Sequence, residues 1–256
     1  MSSPSWRWAG ARATGTSHIR ANKGCDDNGG CVVLRTRDAE TLILAVSDGA
    51  GSADHSATGS RIATRRFLRC AAGYLRAEGA IEMLSEPIVS DWLDDIRDHI
   101  GAEAKKIGVG PRNFAATLVG GLVGKDRTVL IHVGDGAAVV RLEGSDDWKV
   151  GSWPASGEYA STTFFVTDDP QPKLAISHIE GAVREIAVFT DGIERLVLDF
   201  ASESAFAPFF NRVFAQFESS NRRDRLLSKK LRLMLESPMV CERTDDDKTI
   251  ILGKRG

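Results

Sequence analysis

Three apolar runs end in the same dipeptide: "LILAVS" leads into Asp48-Gly49, "VLIHVG" into Asp135-Gly136 and "IAVFT" into Asp191-Gly192. Asp-Gly between apolar runs is a strong hairpin signal, so three separate turns is one reading. The other is that strand ends deliver carboxylates to one place. More acids share this context: Asp26 and Asp27 precede the first strand-like run, and Asp245, Asp246 and Asp247 precede the last. Carboxylates gathered at one edge repel each other unless cations fill the space between them. Oxygen donors suit hard ions such as magnesium or manganese, and no His/Cys set competes for a softer metal. Glycine after aspartate lets the backbone approach closely, and its carbonyl can join a coordination sphere. The clustering favours a two-metal hydrolytic site over three independent turns.

The 256-residue chain is 42% hydrophobic, enough for a substantial core. Its 33 basic and 35 acidic residues give a formal net charge of -2, so no global electrostatic case exists for binding nucleic acid or an anionic membrane. "MSSPSWRWAGARATG" contains no secretory apolar segment, and no run approaches the ~20 apolar residues that span a bilayer. A soluble cytoplasmic protein is expected. Cys25, Cys31, Cys70 and Cys241 are scattered without CxxC pairing and read as reduced structural thiols.

"CVVLRT" and "TLILAVS", joined by "RDAE", predict a hairpin. A long helix follows, with Ile62, Phe67, Ala71 and Leu75 close to one face. A second is capped at Ser85 and carries Val89, Trp92, Ile96 and Ile100 at helical spacing. "FAATLVGGLVG", "RTVLIHVG" and "AAVVRLEG" read as short strands paired as a meander. The irregular stretch 145–174 reads as a surface excursion, and "VREIAVFTDG" as another buried strand. "RRDRLLSKKLRLML" predicts a helix packing through Leu226, Leu227, Leu231 and Leu235, and Thr249 to Leu252 a closing strand. No linker divides the chain, so residues 1–256 are expected to form one α+β domain built as a layered sheet sandwich.

The ordered set "GTSHIRANKGCDD", "LAVSDGAGS", "NFAATLVGGLV", "VLIHVGDGAAVVR", "IAVFTDGIERL" and "DDDKTIIL" resembles the successive motifs of metal-dependent serine/threonine protein phosphatases of type 2C. The resemblance runs from about Gly15 to Leu252, and "GTSHIRANKGCDD" and "GEYASTTFFVTDD" look most like a bacterial branch, the latter as its active-site flap. It implies a four-layer α/β/β/α sandwich with two central antiparallel sheets. It also implies two manganese or magnesium ions, with a weaker third in some members, and hydrolysis by a metal-bridging hydroxide without a phospho-enzyme. By the same resemblance Asp27 is the first metal-binding aspartate, Asp48 bridges two metals, Gly49 lends its carbonyl and Asp191 binds the first metal. Asp246 matches the terminal acid, with Asp245 and Asp247 as rivals, while Asp135 is either a third-metal ligand or a hairpin turn.

Two departures from the family pattern stand out. Members often carry a phosphate-binding arginine before the first acidic pair; Asn22 lies near that position here, leaving Arg20 and Lys23 as candidates. Some members place a proton-donating histidine after the second motif's "DG"; Ala50 occupies that place, leaving His18 and His55 as candidates. The implied partners are a phosphoprotein substrate and a cognate serine/threonine kinase, with no nucleic acid and no membrane. The competing readings are a noncatalytic phosphatase-like regulatory module and a metal-dependent phosphoesterase acting on a small molecule.

Overall fold

The computed structural model describes residues 5–36, 40–77, 79–154, 163–218 and 221–256. Its first sheet contains β1 (Trp6–Ala13), β6 (Ala137–Leu142), β7 (Trp148–Ser152), β9 (Val183–Phe189) and β12 (Lys248–Arg255), in the order β1-β12-β9-β6-β7. The second contains β2 (Asn28–Arg35), β3 (Glu40–Ser47), β4 (Leu118–Val123), β5 (Arg127–Val133) and β8 (Ala175–Glu180), in the order β2-β3-β4-β5-β8. Every neighbouring pair in both sheets is antiparallel.

Alternation along β3 shows how the layers stack. Leu42, Leu44 and Val46 point between the sheets, against Val119, Leu130, Ile186 and Val188. Ile43 and Ala45 point the other way, into a core shared with α2 (Ser56–Arg76) and α3 (Glu86–Ile107). A strand buried on both faces needs apolar residues at every position, which is why its sequence is an unbroken run. On the opposite side Ala187, Phe189, Ile250 and Leu252 meet helix residues Phe210, Phe214, Leu227 and Leu231. These come from α5 (Ala207–Phe214) and α6 (Arg225–Leu235). The result is the expected α/β/β/α sandwich. Short elements complete the chain: α1 (Thr16–Arg20), α4 (Glu194–Val197), α7 (Pro238–Cys241) and the small pair β10 (Leu198–Asp199) and β11 (Ser204–Ala205).

Several expectations need correction. β4 and β5 pair, but β6 lies in the other sheet, so the predicted meander breaks there. The hairpin reading of Asp135 falls with it. Both edges of β5 are taken by β4 and β8, and residues 134–136 carry the chain across to the opposite sheet. Leu226 is 56% exposed, and only Leu227, Leu231 and Leu235 of the predicted face are buried. Ser85 occupies the N-cap of α3 without a side-chain cap bond, and Pro87 sits in the first turn. β1, β7 and β8 were not anticipated, and the "RDAE" connection lies largely outside the described residues. Among the described residues no helix is long and apolar enough to cross a membrane.

Register brings the acids to one end of the sandwich. Asn28 at the start of β2 faces Ser47 at the end of β3, and Phe189 at the end of β9 faces both Ala137 and Ile250. The acidic segments 26–27, 48, 135, 191 and 245–247 therefore all border the same rim.

Close packing of α2 is part of this arrangement. A Cβ at Gly59 would lie 2.0 Å from the Phe114 carbonyl oxygen, whereas one at Gly73 of the same helix meets nothing within 4 Å. Alanine is favoured over glycine in a helix by about 1 kcal/mol, or about 2–4 °C in Tm for a chain of this size. Gly73→Ala should raise the melting temperature by that amount and Gly59→Ala should lower it, as read by thermal circular dichroism. A Gly59→Ala protein melting at or above wild type would contradict the packing described for α2.

Candidate metal centre

Each Asp-Gly pair sits where two chain segments nearly touch. A Cβ at Gly49 would lie 2.7 Å from the Asp26 carbonyl oxygen, one at Gly136 2.7 Å from that of Phe189, and one at Gly192 1.8 Å from that of Asp247. Only glycine permits these approaches, and they crowd the adjoining aspartates together. Asp48, Asp135 and Asp191 each offer a carboxylate oxygen within 4.8 Å of the others.

Hydroxyl groups fix the carboxylates. The Asp48 backbone N–H donates to Thr117 Oγ1 at 2.9 Å, and the Thr117 N–H donates to the Asp48 carbonyl at 2.8 Å. Ser47 Oγ donates to the Thr117 carbonyl at 2.5 Å, closing a clamp around the end of β3. Thr163 Oγ1 donates to Asp135 Oδ2 at 2.6 Å, and Thr190 Oγ1 donates to Asp27 Oδ2 at 2.8 Å. Asp27 is buried directly behind Asp48, and Arg12 Nη1 donates to its carbonyl at 2.9 Å.

Crowding and burial make the cluster proton-hungry. Burial pushes Asp27 up to about 7, restrained by hydrogen bonding with Asp48 and Thr190. Asp48 is held well above the ordinary carboxylate range by burial and by the charges of Asp27, Asp135 and Asp246. Burial, then Asp48, Asp135 and Asp246, push Asp191 up to about 9. Glu194 rises to about 7 through burial and Asp135. Among the described residues, buried Asp135 Oδ1 and Asp191 Oδ1 have no hydrogen-bond partner. An all-oxygen donor set with unpartnered buried oxygens fits a hard divalent cation.

The terminal acids separate by environment. Asp247 is buried and saturated: Oδ1 accepts from the Gly15 N–H at 2.6 Å, and Oδ2 accepts from the Asp26 N–H at 2.5 Å and lies 3.0 Å from His18 Nδ1. Asp245 is exposed, its carbonyl accepting from Ser17 and its carboxylate 3.3 Å from Arg20. Asp246 is the one whose charge is felt by both Asp48 and Asp191.

Other predicted residues lie apart from the trio. His18 Nδ1 is engaged by Asp247 and the Gly24 carbonyl, and His55 stacks on Phe114 with ring centroids 5.1 Å apart. Arg20 and Lys23 are exposed on the rim. Gly49 forms a bridge with Ala116 beside Asp48. Residues 157–162 of the predicted flap lie outside the described residues, while Thr163 reaches Asp135.

Sequence reasoning missed Ser47, Thr117, Thr163, Thr190 and Glu194 at this centre. A signal was present for two of the hydroxyls, since Ser47 and Thr190 immediately precede Asp48 and Asp191.

The sequence profile described as "Protein phosphatase 2C" matches residues 14–236. Serine/threonine-protein phosphatase 3 of Escherichia coli (strain K12) is 34% identical over 258 residues, covering 97% of this chain and 98% of that protein. The fold is similar to that of the serine/threonine phosphatase Stp1 from Staphylococcus aureus, with a TM-score of 0.64 and 18% identity over 96% of this chain and 94% of that one. It is similar also to PppA, a regulatory component of T6SS in Pseudomonas aeruginosa, with a TM-score of 0.64 and 16% identity over 99% of each chain. The motifs, the sandwich and the full-length relative agree, and the chain belongs to the protein phosphatase 2C family.

Proposed function

We propose that this chain hydrolyses phosphoserine and phosphothreonine in proteins, using two manganese or magnesium ions. Asp48, Asp191, Asp246 and the Gly49 carbonyl hold them, with Asp27 in support and Asp135 serving a weaker third ion. The observation that carries this reading is the convergence of three carboxylates within 4.8 Å in a chain 34% identical, along nearly its full length, to a named serine/threonine phosphatase.

When bound, such cations lower the pKa of water toward neutrality and clamp the oxygens of an in-line phosphoryl displacement. The chain's own part is to position. Thr117 fixes the Asp48 backbone on both its N–H and its carbonyl, so the carboxylate projects from a rigid strand end. Thr190 and Asp27 brace it from behind. Arg20, 71% exposed, bonded through Nε to the Thr16 carbonyl and in a surface pair with Asp245, is the proposed contact for incoming phosphate, with Lys23 beside it. His18 and His55 have structural partners and in this reading serve the scaffold. The substrate is supplied by a serine/threonine kinase. The free thiols of all four cysteines suit a reducing cytoplasm.

With manganese and a phosphothreonine peptide, Asp48→Asn and Asp191→Asn should each lose more than about 100-fold in kcat/KM. Thr117→Val, which acts through Asp48, should lose about 10–100-fold and Thr117→Ser should recover most of it. Unchanged activity in both aspartate variants would overturn the site.

The raised carboxyl pKa values set a pH dependence for the metal-free protein. A carboxyl whose folded pKa is raised binds its proton more tightly folded than unfolded. Its stabilisation is complete below the ordinary value of 3.8 and is lost as pH rises through the folded value, about 7 for Asp27 and about 9 for Asp191. The metal-free melting temperature should therefore fall between about pH 4 and pH 9. Manganese should restore it at the alkaline end, and Asp191→Asn should remove the alkaline part of the fall. A metal-free melting temperature that is flat over this interval would contradict the electrostatics of the centre.

A further inference from the structure

A second candidate site lies where β1 and β2, the edge strands of the two sheets, run side by side. A cleft of about 440 Å³ opens there, bounded also by α2 and by the segment before α6. Three arginines line it: Arg12 from β1, Arg65 from α2 and Arg223 before α6. No aspartate or glutamate does. Some of the chain's other guanidinium groups pair with carboxylates, as in Arg66 with Asp95 and Arg141 with Glu185. Among the described residues none of the three cleft arginines has such a partner, in a chain whose formal net charge is -2.

Arg223 instead lies over the Trp8 ring, 5.0 Å from its centroid, and Arg12 Nη1 donates to the Asp27 carbonyl at 2.9 Å. Three like charges around one cavity repel each other, and an anion placed among them removes that repulsion while accepting charge-assisted hydrogen bonds. The volume falls within the range of small-molecule sites. Leu68 and Ile251 supply an apolar wall beside the charged one. Gly10 and Gly29 let the cleft's side chains pack directly on the two strands, since a Cβ at Gly10 would lie 2.4 Å from Ile251 Cδ1 and one at Gly29 2.9 Å from Thr249 Cγ2.

We propose that this cleft binds a phosphate-bearing small anion, free orthophosphate or a small phosphate ester such as a nucleotide, through Arg12, Arg65 and Arg223. The fork of N–H donors on each guanidinium matches phosphate oxygens. An occupant engaging Arg12 also acts on the carbonyl of Asp27, which links the cleft to the acidic centre.

The test is isothermal titration calorimetry on the full chain, stripped of divalent cations on a chelating resin, with orthophosphate, ADP and adenosine. Saturable binding of orthophosphate or ADP is expected, with none of adenosine. Tighter binding of ADP assigns the cleft to a phosphate ester; equal or exclusive binding of orthophosphate assigns it to the free ion. Arg65→Glu and Arg223→Glu, both at exposed positions, should each weaken that binding about tenfold or more without changing thermal melting. Absence of binding by both phosphates at millimolar concentration overturns the proposal, as does wild-type affinity in both variants. No metal takes part, so failure here leaves the reading of the acidic centre standing, and failure of that reading leaves this one standing.

Discussion

Mutual repulsion of carboxylates at one rim of the sandwich is the constraint on which the rest of this structure depends. Asp48, Asp135 and Asp191 come within 4.8 Å of one another, with Asp27 buried behind and Asp246 alongside. Apart from the hydrogen bond between Asp27 and Asp48, their own charges drive them apart. Two continuous antiparallel sheets, packed on each other through Leu42, Leu44, Val119, Leu130, Ile186 and Val188, fix the strand ends from which they project. Burial of this apolar surface is the dominant favourable force in folding, and it sets the positions at which the carboxylates must be tolerated. Burial and the charges of Asp48, Asp135 and Asp246 push Asp191 up to about 9, so protons relieve the crowding when cations are absent.

The fixing is local as well as global. Glycine at 49, 136 and 192 lets neighbouring backbone pass where any side chain would collide. Thr117, Thr163 and Thr190 then hold the acids by hydrogen bonds that need only a hydroxyl of the right reach. Asp247 plays a different part from its neighbour Asp246. It ties Gly15, His18 and Asp26 to the start of β12, so the segment carrying the first acidic pair is anchored to the segment carrying the last.

Much of this was legible in the sequence because buried strands write themselves as unbroken apolar runs. β3, β5 and β9 were visible in this way, and the acids at their ends could be named before any fold was known. Pairing was less visible. β5 and β6 are separated by only three residues and read as a hairpin, yet they belong to different sheets, because local turn chemistry carries no information about which edges are already taken. β1 was missed because only Trp6, Ala9 and Ala13 of "WRWAGARA" are buried, so no period-two alternation marks it as a strand. The hydroxyl clamps were hidden because Thr117 is remote in sequence from Asp48 and shows no distinguishing pattern.

If cations replace protons in the fixed carboxylate cluster, metal binding must release protons, and these can be counted. Manganese is titrated calorimetrically into the metal-free protein at pH 7 in two buffers of different ionisation enthalpy. Binding accompanied by net proton release, abolished together in Asp48→Asn, is the predicted result. Absence of manganese binding, or binding with no proton exchanged, would contradict it.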